Sequence, residues 1–324
     1  MEIVVLIVIF GLLFDFTNGF HDAANVVATP IATKVVRPAI AILAASIFNF
    51  LGATQVSGVA QTIARGLVEV EQASQHMVLA ALIGAILWNL VTWYFGVPSS
   101  SSYALIGGLV GAALVNGGMQ GVIWNGVIYK VLIPMVASPL LGAAIAWCVM
   151  KTLLKISKRD KPIYKYFQLG SASAVALTHG LNDAQKSMGI ITLGLFTAGM
   201  ITSTHIPLWV IGACAATMAL GTASGGFRII RTMGFEITKL TPIDGFAAEL
   251  SSSVVMLTAS LLGMPLSSTH IIVGSITGVG TARGVQRVRW TTAHKVALAW
   301  FFTLPGAAVV SGLIFYLLSI YLAA

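Results

Sequence analysis

The sequence predicts an all-α polytopic membrane protein made of two inverted repeats with broken helices and re-entrant hairpins, and three observations carry that prediction. Of 324 residues, 57% are hydrophobic and 9% charged, with a mean hydropathy of +0.92, against roughly 25% charge in an ordinary soluble domain. Apolar stretches of about 20 residues recur from end to end, each able to cross a hydrocarbon layer of roughly 30 Å as a helix. Polar signatures of the first half return in the second. This composition excludes a water-soluble globular protein and leaves no soluble domain over. The expected division is a first membrane repeat over 1–150, a basic loop over 151–165 and a second, inverted repeat over 166–324.

The first apolar stretch, Ile3 to Phe14, lacks a basic flank and a small-residue cleavage site and runs straight into a polar cluster. It therefore reads as a span, not a signal peptide. The polar cluster is Asp15-Phe16-Thr17-Asn18-Gly19-Phe20-His21-Asp22-Ala23-Ala24-Asn25. An ionisable residue at membrane depth costs roughly 2.5–3.5 kcal/mol on insertion scales, which makes Asp22 a functional candidate. Glycine among asparagines suits an unwound turn, tolerated at that depth only where it lines a cavity or is buried in protein. Carboxylate, amide and carbonyl oxygens are what a hard cation such as Na⁺ requires, and Asp22 and Asn25 offer them. His21 reads more readily as a hydrogen-bonding residue than as a proton carrier.

Spans then follow to Lys34 and Arg37, from Ile40 to the region of Arg65, Glu69 and Glu71, across an even number of crossings or a re-entrant hairpin over 76–115, and from Val131 to Met150. Within the hairpin region, Pro98-Ser99-Ser100-Ser101-Ser102 interrupts the apolar run. Proline favours the first turn of a helix. Free N–H groups at a helix start, with neighbouring hydroxyls, form an anion site. Thr54 and Gln55, with Thr222 and Ser224 in the corresponding segment, could line a cavity or glue helices together.

Six of the Lys and Arg residues lie within Lys151 to Lys165, which makes that loop cytoplasmic by the positive-inside rule and puts the N-terminus outside. This orientation places 15 of 18 Lys/Arg on one side, leaving Arg65, Lys130 and Lys186. Charge placement of this kind explains the net +8 without any nucleic-acid partner. Cys148 and Cys214 have no metal-ligand spacing and read as small buried helix residues.

In the second half, His179-Gly180-Leu181-Asn182-Asp183-Ala184 falls on Asn18 to Ala23 at an offset of 161, and GMPLSSTHIIVGSITG from Gly263 falls on GVPSSSSYALIGGLVG from Gly96 at an offset of 167. Each half carries an Asp-bearing segment and then a Pro-x-Ser-Ser break. Asn182 and Asp183 thus double the candidate cation ligands, and Ser267, Ser268 and Thr269 double the hydroxyl run of Ser100, Ser101 and Ser102. Lys186 could counter Asp183 or an anionic substrate, or could snorkel to the interface. Glu249, among small residues, could face protein or water. A first half that makes a net single crossing starts the second half from the opposite side. Inverted repeats with interrupted helices are the plan of secondary transporters, with the substrate near the midplane.

The segments GFHDAANVVATPIATKVVRP (Gly19 to Pro38), HGLNDAQKSMG (His179 to Gly189) and the two Pro-x-Ser-Ser runs resemble the inorganic phosphate transporter family over essentially the full length. The resemblance implies a phosphate symporter driven by Na⁺ or H⁺, with no cofactor, in the cell membrane, as a homodimer. It maps polar ligands onto Asp22, Asn25, Asn182, Asp183, Gln185 and the two hydroxyl runs. His21 stands where many members have Asn, and the central loop is short. The family also includes sulfate permeases, so sulfate is the alternative anion; a hydrolase using His21-Asp22 with a metal is the alternative from another class.

Overall fold

A computed structural model describes residues 2–55, 58–157 and 161–323. Lys158, Arg159 and Asp160 of the basic loop lie outside these. The first half comprises α1 (Glu2–Ala32), α2 (Pro38–Ala53), α3 (Gly58–Arg65), α4 (Gln75–Tyr94), α5 (Ser101–Gly117), α6 (Trp124–Val127) and α7 (Ile133–Ile156). A π-helical turn, Ile128–Leu132, joins α6 to α7. The second half comprises α8 (Ile163–Thr197), α9 (Leu208–Ser224), α10 (Phe227–Arg231), α11 (Pro242–Leu261), α12 (Ser268–Arg283) and α13 (Trp290–Ala323). Five helical stretches among the described residues are long and apolar enough to cross a membrane. The chain is a multi-pass membrane protein.

The halves correspond element by element, as inverted repeats. Helix α1 pairs with α8, and α2–α3, bent by 71°, with α9 and its continuation, bent by 61°. The α4–α5 hairpin pairs with the α11–α12 hairpin, and α7 with α13. Packing crosses between the repeats: α7 lies along α12 and α13 along α5. Helix α8 likewise lies on α2, and α1 on α9.

Close backbone approach explains the glycines. A methyl group at Gly19 would sit 2.5 Å from the Met218 carbonyl oxygen, and one at Gly221 would sit 2.3 Å from that of Phe16. The same crossing recurs between α8 and α2, where methyls at Gly180 and Gly52 would meet the carbonyls of Asn49 at 2.1 Å and Leu177 at 2.0 Å. The unwound turn expected around Gly19 is therefore corrected: α1 and α8 run unbroken through both Asp signatures. At about 1.5 Å per residue they are roughly 46 and 52 Å long. Glycine there removes bulk for a neighbouring helix and frees no carbonyls.

The breaks fall in the hairpins. Gly96 and Gly263 both take φ +65°, a region that costs glycine nothing. The two turns share one hydrogen-bond pattern: Val97 N–H donates to Thr92 O and Met264 N–H to Ala259 O, both at 2.9 Å, while Ser99 N–H donates to Val97 O and Leu266 N–H to Met264 O, both at 2.8 Å. Cys214 is buried as expected; Cys148 is exposed on α7 instead.

Candidate functional site

Helices α5 and α12 begin alike. Ser100 and Ser267 are their N-caps, accepting from Tyr103 N–H and His270 N–H at 3.2 Å each. These hydroxyls, expected at the anion, are thus engaged by their own helices. The N–H groups of Ser101, Ser102, Ser268 and Thr269 sit in the first turn, where no carbonyl four residues back can take them. The two helix starts also approach each other. The rings of Tyr103 and His270, equivalent by the repeat, are 5.0 Å apart edge to face, and Ser102 donates to Leu266 O at 3.4 Å.

The two Asp helices run past these tips. Ser101 Oγ lies 2.5 Å from both Asn18 Oδ1 and Asp22 Oδ2. One hydroxyl proton cannot serve both acceptors, so three oxygens crowd one point. Asp22 Oδ1 lies 2.9 Å from His21 Nδ1 and 3.4 Å from Thr269 Oγ1. Asn25 Nδ2 donates across the repeat boundary to Ser268 and Thr269, each at 3.0 Å. In the other half, Ser268 donates to Asp183 Oδ2 at 2.7 Å, and His179 Nε2 lies 2.9 Å from the same oxygen.

Lys186 is fully buried. Its ammonium pairs with Asp183 Oδ1 and donates to Ser102 Oγ at 2.5 Å and Leu266 O at 2.8 Å. Snorkelling is therefore corrected, since a buried ammonium with three acceptors is held by the site. Both Asp side chains are buried as well. Ligand atoms of Asp22, His179 and Asp183 lie within 4.8 Å of one another. Two carboxylates at that separation repel by about 3.5 kcal/mol at an effective dielectric constant of about 20, so positive charge is needed between them.

Asn182 is buried beside this cluster and donates to Ser260 Oγ at 3.0 Å, bracing the α11–α12 hairpin. His21, its repeat equivalent, meets the other hairpin at Thr92, whose Oγ1 lies 3.2 Å from its Nε2. Gln185 donates to Gln55 O at 2.5 Å, at the α2–α3 bend. Asp15 accepts from Ser187 at 2.6 Å, two helical turns from Asp22. Thr222 is buried and accepts from Asn49 Nδ2 at 2.8 Å; Thr54, Gln55 and Ser224 are exposed. Glu249 is buried and faces protein: it accepts from Thr29 at 2.6 Å, Gln168 at 3.0 Å and Ser171 at 2.5 Å.

Arg65 and Lys130, two of the three basic residues left over by the charge pattern, line one cavity of about 390 Å³ beside Thr62 and Gly263. Sequence reasoning passed over Asn18, whose signal was its place four residues before Asp22, on the same helix face.

Comparison with known proteins identifies the family of the chain. The profile of the phosphate transporter family matches residues 18–163 and 153–311. A probable low-affinity inorganic phosphate transporter of Bacillus subtilis is 42% identical, covering 97% of both chains. One of Rhizobium meliloti is 44% identical over 94% of this chain and 93% of its own, and one of Mycobacterium bovis is 44% identical over 95% and 76%. A solved structure, described as the sodium-dependent phosphate transporter, superposes with a TM-score of 0.89 at 26% identity, covering 99% of this chain and all of its own.

Proposed function

The chain belongs to the phosphate transporter family, and from that premise we propose that it is a secondary symporter taking up inorganic phosphate with a Na⁺ or H⁺ gradient. It is a transporter and not an enzyme. The observation that carries the reading is the meeting of two capped helix starts, one from each repeat, beside two buried carboxylates from the two Asp helices. First-turn N–H groups and the positive ends of α5 and α12 suit an oxyanion. Asn18, Asp22 and Ser101 supply oxygens for a hard cation. Binding both ions at one boundary between repeats couples their movement, because neither the anion nor the cation is well compensated alone.

Buried carboxylates also favour phosphate over sulfate. HPO₄²⁻ can donate its proton to an aspartate, whereas sulfate has none and is repelled. In this reading the basic loop is cytoplasmic, the N-terminus lies outside, and two copies associate as a homodimer; accessibility labelling of single cysteines and cross-linking test those parts.

The deciding experiment is uptake of labelled phosphate and sulfate into proteoliposomes under imposed Na⁺ and pH gradients. Phosphate accumulation that stops when the cation gradient collapses is expected. Accumulation indifferent to both gradients overturns symport, and preferential uptake of sulfate overturns the anion.

A further inference from the structure

The two Asp-centred ligand sets differ, and we propose that the Lys186 ammonium is a tethered cation that fills the second repeat's cation site, so that the mobile coupling cation binds only at the Asp22 set. The proposal rests on the symport reading and specifies its stoichiometry.

Repeat symmetry maps Asn18 onto His179, Asp22 onto Asp183, Asn25 onto Lys186 and Ser101 onto Ser268. In the first repeat the atoms converging on one point are all oxygens: an amide, a carboxylate and a hydroxyl. That set suits a hard monovalent cation. In the second repeat a ring nitrogen replaces the amide oxygen, and imidazole suits softer transition metals better than hard cations.

The surroundings fix which nitrogen faces the site. Thr222 gives its proton to Met218 O at 2.9 Å and so accepts from Asn49 Nδ2 at 2.8 Å. Asn49 Oδ1 is thereby turned to His179 Nδ1, 3.2 Å away, and His179 Nε2 is left against Asp183.

The second substitution brings the charge itself. An ammonium has three donors, and Lys186 has three protein acceptors: Asp183, Ser102 and the Leu266 carbonyl. Ser102 belongs to one hairpin and Leu266 to the other. The ammonium therefore does what a bound cation would do there, compensating the carboxylate while bridging both hairpins. Among the charged side chains here, two aspartates and one lysine leave a single formal negative charge, enough for one mobile monovalent cation.

Lys186→Asn restores the first-repeat residue, and His179→Asn/Lys186→Asn restores the set. Proteins are reconstituted, and the membrane potential that nulls phosphate flux is measured with K⁺ and valinomycin at fixed phosphate, Na⁺ and pH gradients. Because this counts charge, it reads Na⁺ and H⁺ coupling alike. One further positive charge per phosphate is expected in the variants than in the parent. Unchanged charge per phosphate overturns the assignment of Lys186, while parent uptake that ignores both gradients overturns the symport reading itself.

Should the variants fold without transporting, ²²Na⁺ binding to purified protein decides. One more Na⁺ per chain than the parent is expected, and an equal count overturns the proposal. Asp183→Asn/Lys186→Met, which removes both charges together, should bind the parent's number of Na⁺; a lower number overturns the proposal, because Asp183 would then have been holding a mobile ion.

Discussion

Replacing Ser101 by alanine separates a hydroxyl that serves the cation from one that serves the anion. Its oxygen stands 2.5 Å from Asn18 Oδ1 and from Asp22 Oδ2, so the variant deletes one of three converging oxygens and leaves the α5 backbone in place. An interaction of this kind with a charged group contributes about 1.5–3 kcal/mol. At about 1.4 kcal/mol per decade the half-saturating cation concentration should rise by about ten- to a hundred-fold. Ser268→Ala makes the parallel change, removing a 2.7 Å bond to Asp183, but Lys186 still compensates that carboxylate. Its effect on cation dependence should stay within about three-fold, because the charge it leaves behind remains paired. The assay is initial phosphate uptake in proteoliposomes, with cation varied at saturating phosphate and phosphate varied at saturating cation. The reasoning is refuted if Ser101→Ala raises the half-saturating phosphate concentration while its cation dependence matches the parent's, or if the two alanine variants behave alike.

Three further outcomes follow from the same geometry. Asp22→Asn and Asp183→Asn should each abolish gradient-driven uptake, but only Asp183→Asn leaves a buried ammonium without its anion, a loss of about 3–5 kcal/mol; thermal melts in detergent should show the second variant alone strongly destabilised, with Lys186→Met restoring its melting temperature. Gly180→Ala places a methyl 2.1 Å from the Asn49 carbonyl oxygen and should cost about 1–3 kcal/mol by overpacking, whereas Gly170→Ala, with nothing within 4 Å, should gain up to about 1 kcal/mol of helix propensity; equal melting temperatures would count against the close α2–α8 crossing. Glu249→Ala strands the donors of Thr29, Gln168 and Ser171 at about 1–3 kcal/mol for each left unpaired, so a melting temperature equal to the parent's would show that the cluster does not hold α1, α8 and α11 together.

Much of the site could be read from the chain because the duplication displays it twice. The offsets of Asp22 to Asp183 and of Tyr103 to His270 already pair residues that the fold brings together, and proline followed by serines is a local signal for a capped helix start. What could not be read depended on a neighbouring helix. Gly19 and Gly180 look like helix breakers in isolation; only the carbonyls of Met218 and Asn49 facing them explain why they sit inside continuous helices. Lys186 has a stem long enough to reach an interface, and its fate turns on acceptors supplied by both hairpins, about 80 residues away on either side. Ser100 and Ser101 are adjacent and chemically identical, yet one caps its own helix and the other meets Asp22. Which does which depends on one step of helical rotation.

The departures from repeat symmetry extend beyond the ligand sets. Thr29, Gln168, Ser171 and Glu249 form a polar cluster joining α1, α8 and α11. Their repeat equivalents are Ile190, Ile7, Phe10 and Leu82, which form part of an apolar cluster on the other side of the paired aspartates. A chain with two identical inverted halves would expose equal energetics in its two access states, since exchanging the repeats would convert one state into the other. Here opening along the Glu249 side wets a carboxylate with three donors around it, whereas opening along the Ile7 side wets the single Asp15–Ser187 pair and otherwise hydrocarbon, the latter at roughly 25 cal/mol per Å². In the symporter proposed here, alternating access by movement of one repeat against the other would therefore run between states of unequal free energy. The duplicated scaffold supplies two routes to one central site, and the unpaired substitutions distinguish them.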